Sequence, residues 1–199
     1  MTETTRTPAD GAPDGFGGPA AEELRTLLLS RIQDVPDYPK PGVMFKDITP
    51  LLADAAAFGA LTEALAELCV RHRADKVVGL EARGFILAAP AAVRAGIGFV
   101  PVRKAGKLPG ATLGQEYELE YGTAEIEIHA DALAPGDRVL VIDDVLATGG
   151  TAEASLQLIR RAGARIAGVA VLLELGFLGG RGRLLDALDS APLEALITV

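Results

Sequence analysis

The sequence has no tryptophan, one cysteine and two histidines in 199 residues, and each scarcity closes off a class of chemistry. With Cys69 alone, no disulfide can form within the chain, which predicts a reducing, cytoplasmic setting. Cys69 lies in Ala-Glu-Leu-Cys-Val-Arg on an expected helix and reads as a buried structural thiol. His72 falls at the end of that helix, where a cation near the negative pole of the dipole is ordinary, and His129 ends an alternating strand. Two such distant histidines make neither a zinc site nor a catalytic triad. Positive charge is also short: 19 Lys and Arg against 27 Asp and Glu leave a formal net charge of −8. That balance excludes general nucleic-acid binding, which needs a basic footprint. No apolar run approaches the roughly 20 residues that span a membrane. No basic segment followed by an apolar one marks a signal peptide.

Aromatic residues make up only 5% of the chain, while hydrophobic residues make up 49%. The core must therefore be built from Ala, Val, Leu and Ile, and the length suffices for one domain. Residues 1–19 are rich in Thr, Pro, Gly, Asp and Ala and offer too little apolar surface to offset ordering entropy, so they read as a disordered tail. The domain then spans residues 20–199. From Ala20 the spacing of Leu24, Leu27, Leu28 and Ile32 predicts an amphipathic helix. Pro36, Pro39 and Pro41 force an extended stretch, and Asp54 suits the N-cap of a long helix carrying Phe58, Leu61, Leu65 and Leu68.

Beyond it the chain alternates. Strands are expected at Lys76–Leu80, Gly98–Arg103, Arg138–Ile142 and Ile166–Leu173, with helices at Phe85–Ala95 and Gly150–Ala162. This order points to an α/β fold, a mainly parallel sheet flanked by helices. Residues 105–114, with three glycines and a proline, read as a loop, and the alternation Glu125-Ile126-Glu127-Ile128 as a half-exposed antiparallel strand.

The densest chemistry lies in Val139–Thr151, which reads Val-Leu-Val-Ile-Asp-Asp-Val-Leu-Ala-Thr-Gly-Gly-Thr. The apolar run puts Asp143 and Asp144 at the carboxyl end of a central strand, where open α/β sheets bind ligands. Ala147, Thr148, Gly149, Gly150 and Thr151 then open a helix whose unpaired N–H groups favour a phosphate. Acids beside a phosphate cradle are compatible if the ligand turns neutral hydroxyls toward the acids. A ribose 5-phosphate does so, with its 2′- and 3′-hydroxyls on Asp143 and Asp144 and its 5′-phosphate on residues 147–151. The run lacks the lysine of a Walker loop, and no Gly-x-Gly-x-x-Gly follows a strand. Between Glu81 and Gly110 five basic residues face one acid, a local reversal of sign suited to a polyanion.

This run closely resembles the phosphoribosyl pyrophosphate (PRPP) signature of the type I phosphoribosyltransferases. Three more segments, Tyr38–Leu52, Glu81–Phe85 with Arg103–Gly110, and Leu119–Gly122, resemble the adenine-using members of that family. Together the matches cover about residues 24–180. The resemblance implies the type I phosphoribosyltransferase fold with a flexible lid loop or hairpin, and conversion of adenine and PRPP to AMP and pyrophosphate with inversion at C1. It implies that Arg83 and Lys104 bind pyrophosphate, that Lys107 sits on a mobile loop closing over it, and that Arg103 reaches the pyrophosphate of the neighbouring subunit in a homodimer. It further implies adenine contacts from Met44, Phe45, Lys46 and Leu175, with Phe45 and Leu175 on its two faces. Glu120 would take or share the proton of the base, Tyr121 would help close the lid, and Mg²⁺ would enter mainly through PRPP. Lys46 stands where arginine is usual, and Ala105 where another basic residue often occurs, which bears on affinity. Gln115–Glu118 gains no role, and Arg160, Arg161, Arg181 and Arg183 read as solvated.

Two other readings remain open at this stage. The PRPP run does not discriminate adenine from guanine, xanthine or a pyrimidine. A PRPP-sensing regulator would also keep the loop, but it would want a DNA-binding module or a basic face.

Overall fold

The computed structural model describes residues 18–118 and 122–199. The tail expected at residues 1–19 lies almost wholly outside the described residues. The first helix, α1 (Pro19–Leu29), begins with Pro19, whose missing N–H is no loss in a first turn. It stops before Ile32, which instead follows the helix and packs on the core. The proline-rich segment forms a small antiparallel pair, β1 (Gln33–Pro36) with β2 (Met44–Asp47). A short α2 (Thr49–Ala53), not anticipated, leads to α3 (Ala55–Arg71). Asp54 caps α3 as expected, accepting from the N–H groups of Ala56 and Ala57 at 3.0 and 3.1 Å.

The main sheet comprises β3 (Lys76–Leu80), β4 (Gly98–Lys104), β5 (Thr112–Glu118), β6 (Thr123–His129), β7 (Arg138–Leu146), β8 (Arg165–Glu174) and β9 (Leu193–Thr198). Its spatial order is β5-β6-β4-β3-β7-β8-β9. β4, β3, β7, β8 and β9 are parallel, and β5 and β6 add an antiparallel hairpin at one edge. The sheet is thus mainly parallel, as the alternation implies. It is flanked by α4 (Arg83–Ala95), α5 (Gly150–Arg161) and α6 (Gly180–Leu188), together with α1 and α3.

β7 explains why its sequence is a continuous apolar run. Leu140 and Ile142 pack with α3 and α4 on one face, Val139 and Val141 with α5 and α6 on the other. Both faces are covered, so no polar alternation survives. Cys69 is buried in the first of these layers, and burial pushes its thiol up to about 11, consistent with a structural role.

Several expectations need correction. Residues 112–114 belong to β5 rather than to a loop, because they pair with Glu127–His129 across the hairpin. β6 is not cleanly half-exposed: Glu127 is buried together with Ile126 and Ile128, since the residues after β4 fold over it. β7 runs four residues further than foreseen, to Leu146, and α6 and β9 were not foreseen. His72 does more than sit near a dipole, for its Nε2 lies 3.1 Å from Glu194 on β9.

The four arginines read as solvated all find partners. Arg160 reaches Asp189 and the Ala187 carbonyl, and Arg161 the Gly114 carbonyl and Gln115. Arg181 grips the buried Glu174 with two of its nitrogens, and Arg183 pairs with Glu153. Arg94, read as structural, pairs with Glu63 on α3.

Candidate active site

The site grows out of the carboxyl end of β7. Asp143 and Asp144 fall near the end of that strand, and Ala147–Gly149 then swing the chain into α5. Gly149 is the N-cap of α5 at φ 82°, a left-handed conformation open to glycine. A Cβ there would lie 3.1 Å from the carbonyl oxygen of Gly180, so the turn is also packed against the start of α6. The first turn of α5 leaves its N–H groups directed at an open cleft of about 300 Å³. That cleft is lined on one side by Glu81, Ala82 and Arg83, and on the other by Asp143 through Ala152. The expected ribose and 5′-phosphate residues therefore share one cavity with Arg83.

Arg83 crosses the cleft. Its Nη2 lies 2.7 Å from Oδ2 of Asp144, and its guanidinium carbon 5.0 Å from the centroid of the Phe45 ring. Asp144 is buried. The approach from Arg83 is close but lacks hydrogen-bond alignment, so Asp144 Oδ2 has no directed donor among the described residues. An oxygen of that kind at a cleft suits a ribose hydroxyl or an ion carried in with the ligand. Among the described residues no three His, Cys, Asp or Glu side chains converge as a ready metal cage.

Asp143 differs from its neighbour. It keeps some surface, but protein packed about the carboxyl pushes its pKa well above the ordinary range, and the Asp144 charge adds to the rise. Oδ1 accepts from the Asp144 N–H at 2.9 Å. The close approach of α4 explains Gly84: a Cβ there would lie 2.7 Å from Asp143 Oδ1 and 3.1 Å from the Ile142 carbonyl oxygen.

A raised folded pKa means that Asp143 holds its proton more tightly in the folded chain than in the unfolded one. Its contribution to stability is full below the unfolded pKa and is lost as pH rises through the raised value. Asp143→Asn is accordingly expected to raise the Tm of the ligand-free protein near neutral pH, with little change at acid pH. At this chain length each kcal/mol is worth roughly 2–4 °C. Thermal melts of both proteins across pH check this, and a Tm at pH 7.5 below wild type contradicts it.

The basic loop is organised by two carboxylates that the sequence did not single out. Oε2 of Glu81 accepts from the Lys104 N–H at 2.9 Å and from Arg103 Nε at 3.3 Å, and these donors hold its pKa below the ordinary range. Oε1 of Glu127 accepts from the N–H groups of Lys107 and Leu108, both at 3.0 Å, and its pKa is lowered as well. The Lys107 carbonyl accepts in turn from Arg103. Arg103 thus faces its own chain, and the loop bearing Lys107 is tied down at its backbone. Lys104 lines a second cleft, of about 540 Å³, with Glu81, Tyr117 and Thr151. Glu81 and Thr151 border both clefts, which join the N-terminus of α5 to the basic loop. No signal in the sequence marks Glu127 as buried, since Glu125 two residues earlier has the same pattern and is exposed.

Of the residues expected at the base, Phe45 makes an edge contact with Tyr38, ring centroids 5.1 Å apart, and Met44 is exposed. Lys46 is held by Asp34, its register partner on β1, at 2.7 Å. Leu175 follows β8, and its N–H donates to the Leu146 carbonyl at 2.9 Å, fixing it beside the end of β7. Glu120 and Tyr121 lie outside the described residues.

Residues 51–184 match the phosphoribosyl transferase domain family. An adenine phosphoribosyltransferase of Streptomyces avermitilis is 78% identical over 176 residues, 88% of this chain and 97% of that protein. The crystal structure of the Rhodothermus marinus adenine phosphoribosyltransferase aligns with a TM-score of 0.82 at 48% identity, covering 89% of this chain and 99% of the other. The Saccharomyces cerevisiae enzyme, crystallised with an imino-altritol bisphosphate and adenine, aligns at 0.81 with 36% identity, covering 88% and 99%. With the acid pair, the glycine-rich helix start and the basic loop in one region, these likenesses leave no ambiguity: the chain belongs to the adenine phosphoribosyltransferases, pentosyltransferases of the phosphoribosyl transferase fold.

Proposed function

We propose that the protein joins N9 of adenine to C1 of PRPP in purine salvage, releasing pyrophosphate and forming AMP with inversion at C1. The observation that carries this reading is the single cleft in which the Asp143–Asp144 pair, the N-terminus of α5 and Arg83 converge. Ala147–Thr151 take the 5′-phosphate on backbone N–H groups and hydroxyls. Asp143 and Asp144 hold the ribose hydroxyls and lie close to the carbon that becomes oxocarbenium-like as its bond to pyrophosphate breaks. Arg83, Lys104 and Lys107 take up the charge that leaves with the pyrophosphate. Mg²⁺, when bound with the substrate, neutralises part of that same charge. Adenine approaches the opposite face, stacked on Phe45 and packed by Leu175, with Met44 and Lys46 at its edge. Its N9 proton passes to Glu120, and Tyr121 helps to close the lid.

Phe45 lies under the Arg83 guanidinium, which supports placing base and pyrophosphate on either side of one arginine. A homodimer and a cytoplasmic setting complete the reading. Ile86 and Val93, 43% and 80% exposed on α4, supply apolar surface for a second copy to cover, and the buried, high-pKa Cys69 suits a reducing compartment.

The test is turnover with Mg²⁺, PRPP and one base at a time, chosen from adenine, guanine, hypoxanthine, xanthine, orotate and uracil. Pyrophosphate release with adenine alone, yielding AMP, is the expected result. Turnover with another base would keep the PRPP chemistry and overturn the roles of Phe45, Leu175 and Glu120.

A further inference from the structure

Tyr117 takes no part in the chemistry above, yet its hydroxyl reaches the edge of the phosphate cradle. Its ring is half-buried on β5 and packs against the core layer under α5 and α6, which fixes where the hydroxyl can go. Thr151 Oγ1, in the first turn of α5, donates to Tyr117 Oη at 3.3 Å. At the far end of the same helix Arg161 grips the Gly114 carbonyl at 2.5 Å and the Gln115 side chain at 3.0 Å. β5 therefore lies along α5, clamped at both ends, and its last residues come down over the start of the helix. A Cβ on Gly150 would be 3.8 Å from the Glu118 carbonyl oxygen.

The two clamps differ in kind. The Arg161 clamp is short and charge-assisted, whereas 3.3 Å is long for a bond between two hydroxyls, which prefer about 2.7–2.8 Å. Thr151 has one proton to give, and it is directed at Tyr117. A 5′-phosphate in the cradle is a stronger, charged acceptor and draws the Thr151 hydrogen bond to itself. The Thr151 oxygen, with lone pairs free, then accepts from the Tyr117 hydroxyl. The result is a chain from Tyr117 to Thr151 to phosphate, in which each bond polarises and tightens the next.

We infer that Tyr117 is a positioning residue that couples 5′-phosphate binding to the seating of the β5–β6 hairpin, through the Thr151 hydroxyl. The inference rests on reading Ala147–Thr151 as the 5′-phosphate cradle. Its consequence is that ligands with the phosphate seat the hairpin and ligands without it do not.

Hydrogen exchange of the full chain over residues 112–129 tests this without turnover, with ribose 5-phosphate as probe and ribose as control. Ribose 5-phosphate is expected to slow exchange there in the wild type but not in Tyr117→Phe, which keeps the ring and its core contact and should keep the wild-type Tm. In kinetics Tyr117→Phe should raise KM for PRPP about fivefold, the worth of one neutral hydrogen bond, with KM for adenine unchanged. The double variant Tyr117→Phe with Thr151→Val should be no worse than Thr151→Val alone, because both break one chain. Equal protection in wild type and Tyr117→Phe, or multiplying losses in the double variant, overturns the coupling alone. Failure of ribose 5-phosphate to bind the wild type overturns the cradle itself, and the inference with it.

Discussion

Asp144→Asn is expected to lower the rate of AMP formation by about 10²–10³, the usual loss when one preorganised electrostatic contact to a transition state is removed. Asparagine keeps the volume and one acceptor oxygen, so packing in the buried site changes little. What goes is the charge 2.7 Å from Arg83, which the proposed function sets beside the ribose carbon. Arg83 then loses its anchor and is left with the Phe45 ring, which the proposed function gives to adenine. The loss should fall on kcat more than on KM for adenine, because the acid acts on charge that develops only as the bond to pyrophosphate breaks. Initial rates under saturating PRPP, with circular dichroism to show an intact fold, decide the matter. A variant as fast as the wild type would remove Asp144 from the mechanism.

Gly84→Ala should be nearly as damaging for a different reason. The added methyl would meet Asp143 Oδ1 at 2.7 Å and the β7 backbone at 3.1–3.3 Å, so either α4 or β7 must shift. Overpacking of that sort costs about 1–3 kcal/mol of stability. The shift also moves Arg83, one residue away, relative to the acids, and misplacement approaching 1 Å can lower turnover by about 10². A soluble variant with both Tm and rate unchanged would show that the contact relaxes without consequence, and would sink the packing argument.

Those two sites were legible to different degrees. β7 and its acid pair could be read directly, since a strand covered on both faces must be apolar until it emerges at the sheet edge where ligands bind. The cap at Asp54 was equally plain, being a local bond between a side chain and the N–H groups two and three residues on. Glu127 and Tyr117 were not legible. Their roles come from a loop and a helix that arrive from elsewhere in the chain, and alternation along β6 gives no hint that a basic loop will fold over one glutamate and leave the other in water. The arginines were misread on the same ground, for Arg160 and Arg183 find acids 29 and 30 residues away. α6 escaped notice because Gly180 and Gly182 argue against a helix by propensity, while Gly180 is needed where the chain meets Ala147 and Gly149.

The β5–β6 hairpin joins the rest of the sheet through two residue pairs, Arg103 with Glu127 and Lys104 with Ile126. Lys104 is also one of the residues that the proposed function gives to pyrophosphate, and the family resemblance gives Arg103 to that of a neighbouring subunit. Peeling the hairpin away therefore breaks the ladder at the cations that would hold the leaving group. Under the proposed function, any movement of the hairpin and the hold on pyrophosphate would be coupled through a strand junction two residues long.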